Sequence, residues 1–285
     1  MARRRKKKKK AMDSREVGLV MGLAAGKYFF GSDDLHYGLW TDDLPVKPEN
    51  LRKAQDQHAA LLIKTIPEDV KNILDVGCGA GALAKRLCEK AYDIECVSPS
   101  GPLTAEARKT LGPDTPIFEM KFENLDTPKQ YDMVMFSESF QYIKHELSIE
   151  KASTLLRPGG YLLICDFFRR TGEERGPIRG GRRIEAFQET MANYPFKTLV
   201  DEDITKETAR NFDLINDFLN QVGLPIWELA FRYCAANYPR TTKLARRLFR
   251  KKIEKLEKKY FRGLRTAETF ARYKTYRLML FQYNP

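Results

Sequence analysis

An α/β fold built on a doubly wound, mostly parallel, seven-stranded sheet is what this sequence predicts, and three observations carry the prediction. Short apolar runs alternate with helical stretches from residue 72 onward, as strand–helix–strand crossovers require. Residues 132–136 and 161–168 are apolar almost throughout, as strands covered on both faces must be. The run Ile73-Leu-Asp-Val-Gly-Cys-Gly-Ala-Gly81 leads a strand directly into a glycine turn that opens a helix.

The elements follow in order. Arg3 to Lys10 is eight consecutive cations, whose repulsion makes residues 1–12 a disordered basic tail. Such a tail either solubilises the chain or draws it to an anionic membrane or nucleic acid. Residues 13–30 read as a weak helix, 31–40 as an aromatic-rich loop and 49–64 as a helix, so 13–64 form an N-terminal cap. Strands are expected at 72–76, 93–97, 116–120, 132–136, 161–168, 197–205 and 275–283. Helices are expected at 82–90, 103–111, 148–156 and 206–222. Arg157-Pro-Gly-Gly160 is a turn and 172–183 a Gly/Arg/Glu-rich loop. Residues 224–262 are helical in pattern, with Leu244, Leu248, Ile253, Leu256, Tyr260 and Leu264 forming an apolar stripe opposite cations. Inserted before the last strand, 224–265 is expected to be a lid over the ligand edge of a single domain spanning 13–285.

Composition sets bounds. With 285 residues, 42% of them apolar, the chain buries a proper core. No run of about 18 apolar residues offers a transmembrane helix. Cys78, Cys88, Cys96, Cys165 and Cys234 are scattered without a C-x-x-C, and only three histidines accompany them. Reduced thiols are therefore expected, with no metal site. The stretch 17–26 follows cations as a secretory leader would, but it is short and glycine-rich, and Asp13 and Glu16 interrupt it; a cytoplasmic location is expected. The net charge of +12 divides unevenly: +8 lies in the tail, +9 in residues 240–262, and the body carries −5.

Glycines let a backbone approach a ligand closely, and a helix start offers unpaired N–H groups. In an open parallel sheet this crevice holds a nucleotide-like ligand. Gly77-x-Gly79-x-x-Ala82 fits a dinucleotide fingerprint, but the acid expected about 20 residues on is Ser98. Asp75-x-Gly77-x-Gly79-x-Gly81 instead resembles the first motif of class I S-adenosylmethionine-dependent methyltransferases. Tyr131-Asp-Met-Val-Met-Phe-Ser-Glu-Ser139 is similar to that family's fourth strand and polar exit. Leu155-Leu-Arg-Pro-Gly-Gly-Tyr-Leu-Leu163 is similar to its turn into the fifth strand. The neutral Ser98 and the aromatic segment His36-Tyr-Gly-Leu-Trp40 resemble the subfamily of cyclopropane-fatty-acid synthases and tocopherol or sterol methyltransferases. Two departures stand out. Gln141-Tyr142 replaces the Glu-His pair of cyclopropane synthases, which favours simple methyl transfer over ring formation. Lys121-Phe122-Glu123 occupies the place of an adenine-binding acid.

The resemblance implies S-adenosylmethionine as cofactor and Asp75, Gly77, Cys78, Gly79, Gly81, Ser98, Pro99, Phe122, Glu123, Phe136, Ser137 and Gln141 as its contacts, with Tyr28 and Trp40 as an aromatic roof. An aromatic face attracts a sulfonium by cation–π interaction, although the same aromatics could simply pack on the core. An oxygen or nitrogen acceptor must lose a proton, and Glu138, Tyr142 and His36, with His145 behind them, are the candidate bases. The expected activity is methyl transfer to a lipid or other hydrophobic small molecule, with the basic stretches holding the chain peripherally on an anionic membrane. Alternatives are an RNA methyltransferase that grips the backbone with those stretches, cyclopropane-type modification, or a catalytically silent cofactor-binding protein.

Overall fold

The computed structural model describes residues 14–172 and 176–285, so the basic tail lies outside the described residues. The strands are β1 (Asn72–Val76), β2 (Asp93–Val97), β3 (Ile117–Phe118), β4 (Tyr131–Ser137), β5 (Leu156–Arg169), β6 (Phe196–Asp203) and β7 (Lys274–Tyr283). The helices are α1 (Ser14–Ala25), α2 (Leu51–Thr65), α3 (Ala82–Cys88), α4 (Gly101–Leu111), α5 (His145–Leu155), α6 (Ile184–Met191), α7 (Thr205–Phe218), α8 (Leu224–Asn237), α9 (Pro239–Tyr260) and α10 (Ala267–Tyr273).

One seven-stranded sheet runs in the order β3-β2-β1-β4-β5-β7-β6. The pairs from β3 to β5 are parallel, and β7 is antiparallel to both β5 and β6. Side chains alternate across the pleat, so neighbouring residues feed different cores. Ile73, Met133, Leu163 and Leu278 pack with Leu62, Leu87 and Phe212 on one face. Leu74, Val134, Leu162 and Met279 pack with Ile149, Ala152 and Phe187 on the other. Two covered faces are why the central strands read as continuous apolar runs.

Some boundaries differ from expectation, for local reasons. The third strand shrinks to two residues at the sheet edge. The Arg157–Gly160 turn appears inside β5 as a break in register, since Tyr131 pairs with Leu156 but Met133 with Tyr161. Gly160 sits there because a Cβ would come within 2.9 Å of the Arg157 carbonyl oxygen and 3.1 Å of that of Asp132. Helices α6 and α10 were not foreseen; their few buried anchors, Phe187, Met191 and Phe270, leave too short a period to read.

The largest correction concerns residues 224–265. The stretch expected to be helical in pattern is divided at Tyr238, and Pro239 starts a new helix at a position where its missing N–H costs nothing. The result is a hairpin of α8 and α9, closed by Trp227, which lies against Phe231 (4.7 Å between ring centres) and Phe261 (5.9 Å). No residue of α8 is buried. The hairpin continues from α7, which packs on α10 through stacked Phe212 and Phe270 rings 4.6 Å apart. None of its described residues reaches the cavity beside the glycine turn, so it does not form the expected lid there.

Candidate active site

The carboxyl ends of β1, β2 and β4 open into a cavity of about 760 Å³, at the sheet edge where parallel α/β folds bind ligands. Asp75, Val76, Gly77, Cys78 and Gly79 form its floor, and Val97, Ser98 and Pro99 one side. Phe122, Glu123, Ser137, Glu138, Ser139 and Tyr142 form another side. The segment 33–36, together with Glu16 and Leu19 of α1, closes the top.

The glycine turn is dictated by close approach. Gly77 has φ +80° and donates its N–H to the Val97 carbonyl at 2.8 Å. A Cβ there would lie 2.5 Å from that of Ser139, whose hydroxyl donates to the Val76 carbonyl. Gly79 has φ +58° and faces Leu35. Asp75 is buried, and its Oδ2 has no hydrogen-bond partner; the Ser137 hydroxyl is likewise unpaired. Burial alone pushes the Asp75 carboxyl up to about 7. An orphaned buried carboxyl on a cavity floor calls for a cationic donor, and the amino-acid end of S-adenosylmethionine carries one. The residues present fit that cofactor.

Across the cavity, Glu138 is held in the left-handed region at φ +54°, an uncommon conformation for a residue with a side chain. Its Oε1 accepts hydrogen bonds from the Tyr37 backbone N–H at 2.6 Å and from the Tyr276 hydroxyl at 2.7 Å. Burial raises its pKa, against the lowering effect of the His36 charge and of these donors. The Tyr276 oxygen also stands 3.2 Å from Nε2 of His58, whose ring stacks on His36 at 4.6 Å. His36 donates from Nδ1 to the Tyr37 carbonyl at 2.9 Å. Its Nε2 lies 3.1 Å from Asp34 Oδ1, at ion-pair distance but without hydrogen-bond geometry. Burial opposes the charged imidazole, but the Asp34 carboxylate more than offsets this and raises the His36 pKa. Arg86 grips Asp34 through both nitrogens, at 2.9 and 2.7 Å.

Most of the anticipated residues meet at this cavity: Asp75, Gly77, Cys78, Gly79, Ser98, Pro99, Phe122, Glu123, Ser137, His36, Glu138 and Tyr142 all line it. Five do not. Trp40 is fully buried, and its indole donates to Asn211 at 3.0 Å, locking the aromatic loop to α7 instead of roofing the cavity. Tyr28 is 83% exposed on the turn after α1. Gly81 lets α3 approach α4, where a Cβ would meet Leu111 at 3.1 Å. Phe136 lies within the sheet, edge-on to Phe122 at 5.3 Å, and so supports the wall from behind. Gln141 turns toward Asp166, its backbone N–H 2.9 Å from Oδ2. His145 is away from the cavity, beside Glu146. Sequence reasoning missed Asp34, Leu35, Ser139, His58 and Tyr276. Ser139 is the last residue of the quoted fourth-strand motif and could have been found; His58 and Tyr276 arrive from distant segments with no local signal.

The fold and site together define the class I S-adenosylmethionine-dependent methyltransferases. Residues 73–160 match the family model described as a methyltransferase domain. An uncharacterized methyltransferase of Geobacillus sp. (strain WCH70) is 30% identical over 161 residues, covering 54% of this chain and 70% of the relative. The chain belongs to this methyltransferase family, and S-adenosylmethionine is its cofactor. Malonyl-(acyl-carrier protein) O-methyltransferase 1 of Ilyobacter polytropus is 24% identical over 149 residues, and the match spans about half of each protein (50% and 53%). Among solved structures, the cyclopropane synthase MmaA2 from Mycobacterium tuberculosis matches 95% of this chain and 94% of its own, with TM-score 0.65 and 16% identity. Geranyl diphosphate C-methyltransferase from Streptomyces coelicolor A3(2) matches 87% of each chain with TM-score 0.61 and 14% identity. The (4+2)-cyclase SpnF matches 94% of this chain and 92% of its own, with TM-score 0.65 and 19% identity. A fold shared with a cyclase leaves the chemistry to be argued from the site.

Proposed function

We propose that this enzyme methylates a lipid or other hydrophobic small molecule at an anionic membrane surface. The observation that carries the acceptor class is the cavity: beyond the glycine turn its walls are Leu19, Leu35, Leu83, Leu103, Phe122 and Ile143, with the half-buried Glu138 carboxyl among them. Relatives and neighbours whose names specify an acyl-carrier-bound malonyl group or geranyl diphosphate support the same class. The basic residues 240–262 support the membrane setting.

The cofactor supplies a methyl group on a sulfonium, so the acceptor–methyl bond forms as the sulfur–carbon bond breaks and S-adenosylhomocysteine leaves. The protein's part is alignment and exclusion of water. Asp75 and the Ser137 hydroxyl hold the amino-acid end, and Gly77 and Gly79 admit it by lacking side chains. Ser98 offers a hydroxyl to the ribose, and Phe122 and Glu123 flank the base. Glu138 accepts the proton of an oxygen or nitrogen acceptor. Its Oε1 is committed to Tyr37 and Tyr276, so the other oxygen is the basic one, and burial strengthens that basicity.

The test is mass spectrometry after incubating the enzyme with deuteromethyl cofactor and, separately, a cell lipid extract and total RNA. Label in a lipid fraction is expected. Label confined to RNA would replace this reading with the nucleic-acid one, and label in neither, with cofactor still bound, would favour a silent binding protein.

A further inference from the structure

We propose that the α8–α9 hairpin is a bilayer-seating paddle whose apolar ridge, Phe218, Val222, Ile226, Leu229 and Tyr233, enters the headgroup–acyl boundary of an anionic membrane. The inference rests on the membrane reading above and specifies the surface that makes the contact.

The ridge follows from spacing. Its members recur at intervals of four, four, three and four residues, which places them on one face of the helical path from the end of α7, through a π-helical turn at Leu219–Gly223, and along α8. That path rises about 1.5 Å per residue, giving a stripe roughly 22 Å long. Every member is open to solvent: Phe218 59%, Val222 41%, Ile226 62%, Leu229 61% and Tyr233 60%. A contiguous apolar stripe of this kind is rarely left bare on a soluble protein and marks an interaction site. The opposite side of α8 is already used, since Trp227 and Phe231 face α9 and its Phe249 and Ile253 across a groove of about 380 Å³.

Charge selects the occupant. In α9, Arg240, Lys243, Arg246, Arg247, Arg250, Lys251, Lys252, Lys255 and Lys258 are all exposed, and Leu244 and Leu248 stand exposed among them. Arg250 is paired with Glu254 at 3.2 Å. Apolar and aromatic side chains on one helix beside a dense field of cations on the next is the composition of a helix pair that lies in the plane of a bilayer interface. Clustered Lys and Arg are drawn to the anionic leaflet, while the ridge gives the contact a component that salt does not screen. A nucleic acid would use the cations but give the ridge nothing to enter. A second copy of the chain would cover the ridge but set two basic fields against each other.

The experiment is vesicle flotation of the full chain on phosphatidylcholine vesicles with and without phosphatidylglycerol, alongside the variants Ile226→Asp/Leu229→Asp and Lys243→Glu/Arg247→Glu. Calorimetric binding of S-adenosylhomocysteine and a melting curve for each variant confirm that the body stays folded. Wild type should float with the anionic vesicles and keep a bound fraction in high salt. The ridge variant should lose at least tenfold in bound fraction in high salt while binding S-adenosylhomocysteine normally. The charge variant should lose its preference for phosphatidylglycerol. If wild type floats and the ridge variant floats equally well in high salt, the ridge proposal falls and the membrane reading stands. If wild type does not float, both fall. A ridge-dependent dimer by sedimentation that vesicles do not dissociate would assign the ridge to a second copy instead.

Discussion

Cofactor binding should be coupled to proton release from Asp75, and the size of the coupling can be worked out in advance. In the cofactor-free protein, burial pushes this carboxyl from 3.8 to about 7, with no hydrogen bond to Oδ2. An ammonium docked on it requires the carboxylate. Below about pH 7 the free protein must therefore give up a proton to bind, at about tenfold in affinity per pH unit. From about pH 7.5 to 5.5 the dissociation constant for S-adenosylhomocysteine should rise roughly 25-fold. Calorimetry in two buffers of different ionisation enthalpy counts the protons directly, with close to one released at low pH and almost none above about pH 8. Asp75→Asn should weaken binding by about 10- to 100-fold at high pH, the loss expected for a charge-assisted hydrogen bond, and should abolish the slope. Stability carries the opposite sign. The folded pKa lies above the unfolded one, so the unfolded chain ionises first, and the free protein loses up to about 4 kcal/mol as pH rises from about 4 to 7. Cofactor should restore that loss. Asp166, raised by burial to about 8, adds a similar dependence but does not face the cavity, so its share should persist with cofactor bound. A pH-independent dissociation constant, or an equal slope in Asp75→Asn, would refute the assignment of Asp75 to the ammonium.

Other consequences are as specific. Gly79→Arg should abolish S-adenosylhomocysteine binding by calorimetry while retaining a cooperative melt, because the side chain enters the cavity from a φ of +58° with only Leu35 nearby. Gly77→Ala should destabilise by about 2–4 kcal/mol in denaturant unfolding, since strained φ and overpacking add, the new Cβ lying 2.5 Å from that of Ser139. Asn211→Leu should cost about 2–4 kcal/mol by stranding buried groups; the amide accepts from the Gly38 N–H at 2.8 Å and the Trp40 indole at 3.0 Å, and donates to the Gly38 carbonyl at 2.7 Å. Glu138→Gln should lower deuteromethyl incorporation by about 10²- to 10⁴-fold for an oxygen or nitrogen acceptor with S-adenosylhomocysteine affinity nearly unchanged; an unchanged rate would show that Glu138 is not the base.

The parts of the fold that were legible in sequence are those with a local cause. A strand buried on both faces announces itself at residues 132–136, and the glycine turn does so because close backbone approach permits little else at Gly77. The floor of the site was therefore readable from one short motif. Its roof was not. Trp40 looked like a cofactor aromatic, but its partner Asn211 is 171 residues away, and nothing in the loop reveals that the indole is already committed. The hairpin misled for a related reason. Amphipathic spacing shows that a helix has an apolar face, but not whether the protein supplies something to cover it.

The bond between Tyr276 and Glu138 spans 138 residues, and that between Tyr276 and His58 spans 218. A nascent chain that has already made the glycine turn, five parallel strands and the whole basic hairpin still lacks the hydroxyl that steadies Glu138. The wall that holds Glu138 is thus completed by β7, which is synthesised after the α8–α9 hairpin. Loop closures this long are slow to meet by chance. Any contact the hairpin makes at that stage would therefore meet a chain whose glycine turn is built but whose Glu138 is not yet fixed in place.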